Sequence, residues 1–273
     1  MKRFADTLGF GTVVFVSATT IAFLIVPLVM ASAMSFDSRD FLGRFPPPGF
    51  SIQWYVGFFY DAYYLHGLKV SLLLALVATA ASTFLGVTTA FVLDRYRVPG
   101  KEALSAFFLS PLIVPHVIIG FSLLLVFSSF GVFDGLYRMI CGHIIITVPY
   151  VIRTTLASLV GIKRSLGEAA MSLGATERRA FWKVTVPLSK TGIAAGAVFA
   201  FAFSMDDVSV SLFLTDPKTY TLPVAMVNMM RSQFDLRIAA ASVILIAFTV
   251  ILIFVLDRVV GLEKVIGQGV YRT

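Results

Sequence analysis

The chain has 273 residues, of which 58% are hydrophobic and only 14% charged, with a mean hydropathy of +0.90. A soluble domain carries about 25% charged residues, so most of this chain is solvated by lipid. The net charge of +7 therefore reports basic loops rather than a nucleic-acid surface; the single Cys141 excludes an internal disulfide, and His66, His116 and His143 share no metal-ligand spacing.

A helix needs about 20 apolar residues to cross a bilayer. Six segments meet this, near 10–34, 67–92, 104–129, 139–160, 189–214 and 238–260. The fold class expected is all-α integral membrane, a single transmembrane domain over 1–273. The first span follows Met1-Lys2-Arg3, and its Ala31-Ser32-Ala33 imitates a signal cleavage site. Its apolar run exceeds a signal core of about 7–15 residues, so an uncleaved span is expected.

The outer loop, about 35–66, holds Phe45-Pro46-Pro47-Pro48-Gly49-Phe50 and then Trp54-Tyr55. Proline cannot continue a helix and paired aromatics favour the membrane interface, which predicts a rigid turn and then an interfacial helix. A surface loop anchored by Trp54 fits the same residues. The third span contains Pro111 and Pro115, followed by His116, and the fourth contains Pro149 and Arg153. Both spans are expected to be kinked or unwound. His116 reads either as a pathway residue or as a packed, hydrogen-bonded one, and Arg153 as a residue that snorkels to the cytoplasmic surface or pairs with an acid.

Between spans four and five lies a long basic gap, about 161–188. Ser165-Leu166-Gly167-Glu168 fits a capping box, so a helix of about two turns is predicted to begin near Leu166. Ala169, Ala170 and Leu173 share its apolar face, and Gly174 suits the left-handed residue that ends it. So short a helix is marginal alone and needs a body or a partner to hold it.

The fifth span opens with Gly192 and Gly196 on a small-residue face and ends in Phe203-Ser204-Met205-Asp206-Asp207-Val208-Ser209-Val210-Ser211. Carboxylates in an apolar layer are costly, which makes a functional role the default. On one helix Ser204, Asp207 and Ser211 form a polar stripe, with Asp206 turned about 100° away. Asp207 is expected to face a pathway and Asp206 a neighbouring span. The competing reading is that the two acids pair with basic residues or cap a broken helix. Lys and Arg number fourteen on the segments assigned inside and seven on those outside, which puts both termini and the Glu168 loop in the cytoplasm.

Glu168-Ala169-Ala170, Gly174 and then Val184-Thr185-Val186-Pro187 resemble the EAA loop of permease subunits of bacterial ABC importers, with Val184 and Val186 as conservative departures from Ile-x-Leu-Pro. Residues 204–211, Thr215-Asp216-Pro217, Leu222-Pro223 and the proline-rich loop are similar to the spermidine/putrescine permease subgroup. The resemblance implies a type I importer fold and a coupling helix, carried by Glu168, Ala169, Ala170, Leu173 and Gly174. It implies two ATP-binding subunits that hold ATP and Mg, a second permease subunit expected to be a different chain, and a periplasmic solute-binding protein. The location implied is the bacterial inner membrane. No cofactor is expected on this chain, and it has no Gly-x-x-x-x-Gly-Lys-Ser/Thr loop and no hydrolase elbow.

The substrate pathway is expected at Asp207, Asp206, Ser204, Ser211, Phe203 and His116, with an organic amine, putrescine or spermidine first, as the solute. His116 stands where polyamine permeases are expected to carry an acid. An opine, an amino acid or an aminophosphonate is therefore the next reading. A channel or secondary transporter that binds a coupling cation at Asp206 and Asp207 is the alternative of another class.

Overall fold

The computed structural model describes residues 2–96, 98–232 and 235–260, without the side chains of 2–9, 253, 256, 257, 259 and 260. Arg97, Lys264 and Arg272, counted to the inside above, lie outside the described residues. In chain order the helices are α1 (Lys2–Met34), α2 (Gln53–Tyr60), α3 (Ala62–Arg95), α4 (Lys101–Leu109), α5 (His116–Ser129), α6 (Gly135–Val160), α7 (Arg164–Ser172), α8 (Glu177–Ala180), α9 (Val186–Asp206), α10 (Ser211–Leu214), α11 (Leu222–Ser232) and α12 (Arg237–Val260). A 3-10 turn, Ser110–Leu112, follows α4, and a π turn, Phe181–Thr185, joins α8 to α9.

Four continuous stretches are long and apolar enough to span a bilayer: Phe10–Met34, Ala62–Arg95, Gly135–Val160 and Glu177–Asp206. The pair Lys101–Leu112 and His116–Ser129, bent by 101°, makes a fifth, and α12, with a shorter apolar stretch at Arg237–Leu252, stands where the sixth span is expected. The bend has a sequence cause. Pro111 and Pro115 have no N–H to give the helix, and a residue before proline, here Val114, is pushed out of the helical region. Pro149 does not repeat this: α6 runs unbroken through it. Membrane helices tolerate a single proline where neighbouring elements hold the chain, and Pro149 is itself buried. The fifth span also differs from expectation. Its helix ends at Asp206 rather than near 214, and its continuous apolar stretch begins at Glu177.

The described residues form two compact units, one from 1–62 with 226–247 and one from 63–225 with 248–273. In the first, the proline-rich loop is tied down by polar contacts: Trp54 Nε1 donates to the Asp37 carbonyl at 2.8 Å, and Ser35 Oγ meets the Tyr55 hydroxyl at 2.7 Å. The Arg39 guanidinium, hydrogen-bonded to Asp37, holds that carboxyl below its usual range. Arg237 pairs with Asp61 at 2.7 Å and with Asp235 at 2.6 Å. The interfacial helix expected after the prolines is α2.

The second unit is built around α6. Asp134 caps its start by accepting from Tyr137 N at 2.7 Å. Along its length α6 meets α9 through small residues: a Cβ on Gly196 would lie 2.9 Å from the Val151 Cα, and one on Gly192 would lie 2.6 Å from the Thr154 carbonyl oxygen. These glycines let two backbones touch where lipid gives no hydrophobic drive and close packing must hold the helices together. Ser82 Oγ of α3 meets Thr147 Oγ1 of α6 at 2.7 Å. Leu74, Met139, Ile146, Val210 and Leu214 are fully buried together around this contact surface.

Where α6 begins, Asp216 folds the loop after α10. Its Oδ1 accepts from Lys218 N and Thr219 N, each at 2.8 Å, and its Oδ2 accepts from Gly135 N at 2.8 Å. Burial pushes the Asp216 carboxyl up, but these backbone donors and the nearby Arg138 outweigh it and hold the carboxyl low.

Candidate functional site: an exposed short helix and a buried carboxylate

Two sets of residues stand out, one at each end of the α6–α9 pair. The first is α7. It begins at Arg164, one turn of chain after α6, and its cap residue Lys163 makes no side-chain cap bond. The predicted Ser165–Glu168 capping box is not formed. Only residues 161–163 separate α6 from α7, so Ser165 is already helical, whereas a cap residue must lie outside helical geometry. The C-terminal prediction holds. Gly174 has φ +87°, its N–H bonds to the Met171 carbonyl at 2.9 Å, and Ala175 N bonds to the Ala170 carbonyl at 3.0 Å. This pair of bonds is a Schellman stop.

No residue of α7 is buried. Glu168 and Ala169 are exposed, Ala170 is half-buried, and Leu173 is 90% exposed. Beneath α7, Glu168, Met171, Arg164, Phe91 and Val184 line a cleft of about 180 Å³. Arg164 donates to the Asp94 carbonyl at 3.1 Å and anchors the helix on the end of α3.

The second set lies where the fifth span breaks. Asp207 follows α9 in extended geometry (φ −67°, ψ 125°), so the helical stripe predicted for Ser204, Asp207 and Ser211 does not exist. The three residues converge nonetheless, because Asp207 caps the next turn. Its Oδ2 accepts from Val210 N at 3.0 Å, Ser211 N at 2.9 Å and Ser211 Oγ at 3.2 Å. The residue that draws in Ser204 is His143 of α6, which the sequence reading passed over. His143 is fully buried; its Nδ1 lies 2.7 Å from Ser204 Oγ and its Nε2 2.9 Å from Ser211 Oγ. The available signal was an ionisable side chain inside an apolar span, independent of metal spacing.

The other oxygen of Asp207 has a different environment. Oδ1 accepts no hydrogen bond among the described residues and faces His116 Nδ1 at 3.9 Å. The Asp207 side chain is 3% exposed and that of His116 21%, so His116 is the more accessible member of the pair. Phe203 meets the His116 ring edge-on at 5.5 Å, and Tyr150 meets Phe203 at 4.6 Å. A carboxylate oxygen that faces His116, with Phe203 and then Tyr150 packed in turn behind that imidazole, can draw a cation by charge, and the Phe203 and Tyr150 rings can add their quadrupoles. Asp206 is exposed and lies outside this cluster. Arg153 is exposed too, with no ion pair to it among the described residues.

The chain matches the family of binding-protein-dependent transport system inner membrane components over residues 82–262. It belongs to that family. The spermidine/putrescine transport system permease protein PotC of Shigella flexneri is 30% identical over 96% of each chain, and the putrescine transport system permease protein PotI of Escherichia coli K12 is 30% identical over 82% of each. A solved bacterial alginate ABC transporter, in complex with an alginate-bound periplasmic protein, shares the fold with a TM-score of 0.74 over 93% of each chain at 16% identity. The protein is thus the permease of an ABC importer, a multi-pass transport subunit of the binding-protein-dependent family that is similar to the spermidine/putrescine permeases. The matched segment contains α7 and the Asp207 cluster, and it begins at Ser82 within α3.

Proposed function

We propose that this permease carries an organic amine, putrescine or spermidine first, along a path that passes Asp207. The observation that carries this reading is a buried carboxylate whose Oδ1 accepts no hydrogen bond among the described residues and faces His116, which packs on Phe203 and through it on Tyr150. An ammonium group entering there gains charge pairing and ring contact that a neutral solute does not. The relatives named for spermidine and putrescine support the same class. In this reading two ATP-binding subunits hold ATP and Mg, a different permease chain completes the path, and both termini lie in the cytoplasm. Closure of the ATPases moves α7, whose exposed Leu173 and Glu168 dock on them. This chain makes no covalent bond to the solute.

The test is uptake of radiolabelled putrescine by vesicles that hold the whole importer, its binding protein and ATP. Asp207→Asn is expected to cut uptake about tenfold, a value set by loss of roughly one charge-assisted contact, with assembly unchanged. Wild-type uptake by that variant removes Asp207 from the path.

A second reading rests on His116. An imidazole that faces Asp207 Oδ1 can occupy the acid and present its own ring to an anionic group, which suits a zwitterion such as an amino acid, an opine or an aminophosphonate. A thermal-shift screen of the cognate binding protein separates the two, since a ligand that binds only the folded state raises the melting temperature. A shift with putrescine or spermidine alone selects the polyamine, and a shift with zwitterions alone selects the second reading.

A further inference from the structure

The mechanism above uses one oxygen of Asp207 and leaves His143 without a duty. His143 is fully buried and has a hydroxyl on each ring nitrogen. The donors around it can be assigned in only one complete way. Ser211 Oγ has a single proton, and it goes to Asp207 Oδ2 at 3.2 Å. Ser211 can then only accept at its contact with His143, so Nε2 carries the ring proton and donates. In the neutral ring Nδ1 is then an acceptor, and the Ser204 hydroxyl donates to it at 2.7 Å. A ring protonated at both nitrogens would leave the Ser204 proton without an acceptor among the described residues.

We infer that Ser204, His143 and Ser211 form a one-way hydrogen-bond relay that ends on Asp207 Oδ2 and makes His143 the positioning residue for the pathway carboxylate. Every bond runs in the same direction, from Ser204 O–H to Nδ1, from Nε2–H to Ser211, and from Ser211 O–H to Oδ2. Chains with one polarity strengthen each member, and in a dry interior a broken link leaves a costly unpaired group. With Val210 N and Ser211 N on the same oxygen, Oδ2 has its full set of donors. The carboxylate cannot rotate to trade its oxygens without breaking three bonds, so Oδ1 stays on the side of His116. His143 touches no solute in this arrangement. It acts by fixing which oxygen of Asp207 is offered, and in which direction.

The inference rests on the pathway reading for Asp207, and the test keeps the two apart. In the reconstituted importer, with putrescine as probe, His143→Leu is expected to raise the half-saturating concentration about tenfold, with maximal ATP-driven rate and subunit recovery close to wild type. His143→Gln, whose amide can accept from Ser204 and donate to Ser211, is expected to recover most of the loss. Ser211→Ala removes one hydroxyl, leaves the backbone donor in place and is expected to move the same parameter by a smaller factor. Because His143 acts through Asp207, adding His143→Leu to Asp207→Asn is expected to cost nothing further. An equal loss in both backgrounds, or wild-type behaviour of His143→Leu where Asp207→Asn is impaired, overturns the relay and leaves the pathway reading standing. Nitrogen chemical shifts of histidine-labelled importer in lipid give a readout that needs no solute. A neutral His143 protonated on Nε2 is expected, and a proton on Nδ1 overturns the relay whatever is transported.

Discussion

The two oxygens of Asp207 have separate surroundings. Oδ2 holds the turn after α9, and Oδ1 faces His116. Helical arithmetic selected Ser204, Asp207 and Ser211 together, but the reason differs: the helix stops before Asp207, and the set is gathered by a cap and by His143 instead. Spacing within one segment could not reveal a partner 61 residues away on α6. The close-approach glycines were legible, because a small residue every fourth position has few other uses in a span. Gly196→Val is expected to cost about 1–3 kcal/mol or more through overpacking on Val151, read as a lower melting temperature of the detergent-solubilised complex. Two loop acids give a pH prediction. The carboxyls of Asp37 and Asp216 are held below their ordinary value of 3.8, so each adds stability above that value, which is lost as pH falls through the lower folded value. Amide exchange in residues 37–39 and 216–219, corrected for intrinsic rate, is expected to speed up on that acid side only. Asp37→Asn is expected to remove the pH dependence from the first segment.

At the scale of elements, the α7 unit was readable at its end and misread at its start. A glycine stop is a local backbone requirement, whereas the start is set by how soon the chain leaves α6. Gly174→Ala forces a side chain into φ +87° and is expected to cost about 1–2 kcal/mol, fraying the last turn of α7. The expected readout is weaker recovery of the ATP-binding subunit with the permease. Glu168→Lys is expected to leave the membrane subunits assembled but to uncouple ATP hydrolysis from uptake; intact coupling would count against α7 as the docking element. The prolines give the same lesson in another form. Two of them four residues apart break the α4–α5 span, while a lone Pro149 in a buried stretch leaves α6 whole. Proline supplies the possibility of a break, and packing around it decides the outcome.

At the scale of the molecule, the number and order of the spans were legible because lipid imposes one length on every crossing. Helix limits were not, and α3 has 34 residues, roughly 50 Å at about 1.5 Å each, far more than a bilayer core requires. Partners leave no such mark in one sequence, and only the family motifs pointed to them. If the ATP-driven reading is right, uptake into vesicles stops when ATP is withheld and is unchanged when proton and sodium gradients are collapsed. Uptake that follows either gradient would favour a secondary transporter instead. The glycine contact between α6 and α9 has a consequence for how such a machine moves. Backbones packed as closely as those at Gly192 and Gly196 leave no room for relative movement, so in the proposed coupling the two helices move as one rod, with α7 on the chain that links the end of α6 to the start of α9. A push at α7 then travels the length of that rod with His143 and Ser204 aboard, while His116 rides on α5, beyond the proline break. On the proposed coupling, the 3.9 Å gap between His116 and Asp207 is the joint at which a stroke delivered to α7 would be felt, and its width is the quantity that a spectroscopic ruler should follow as ATP is added.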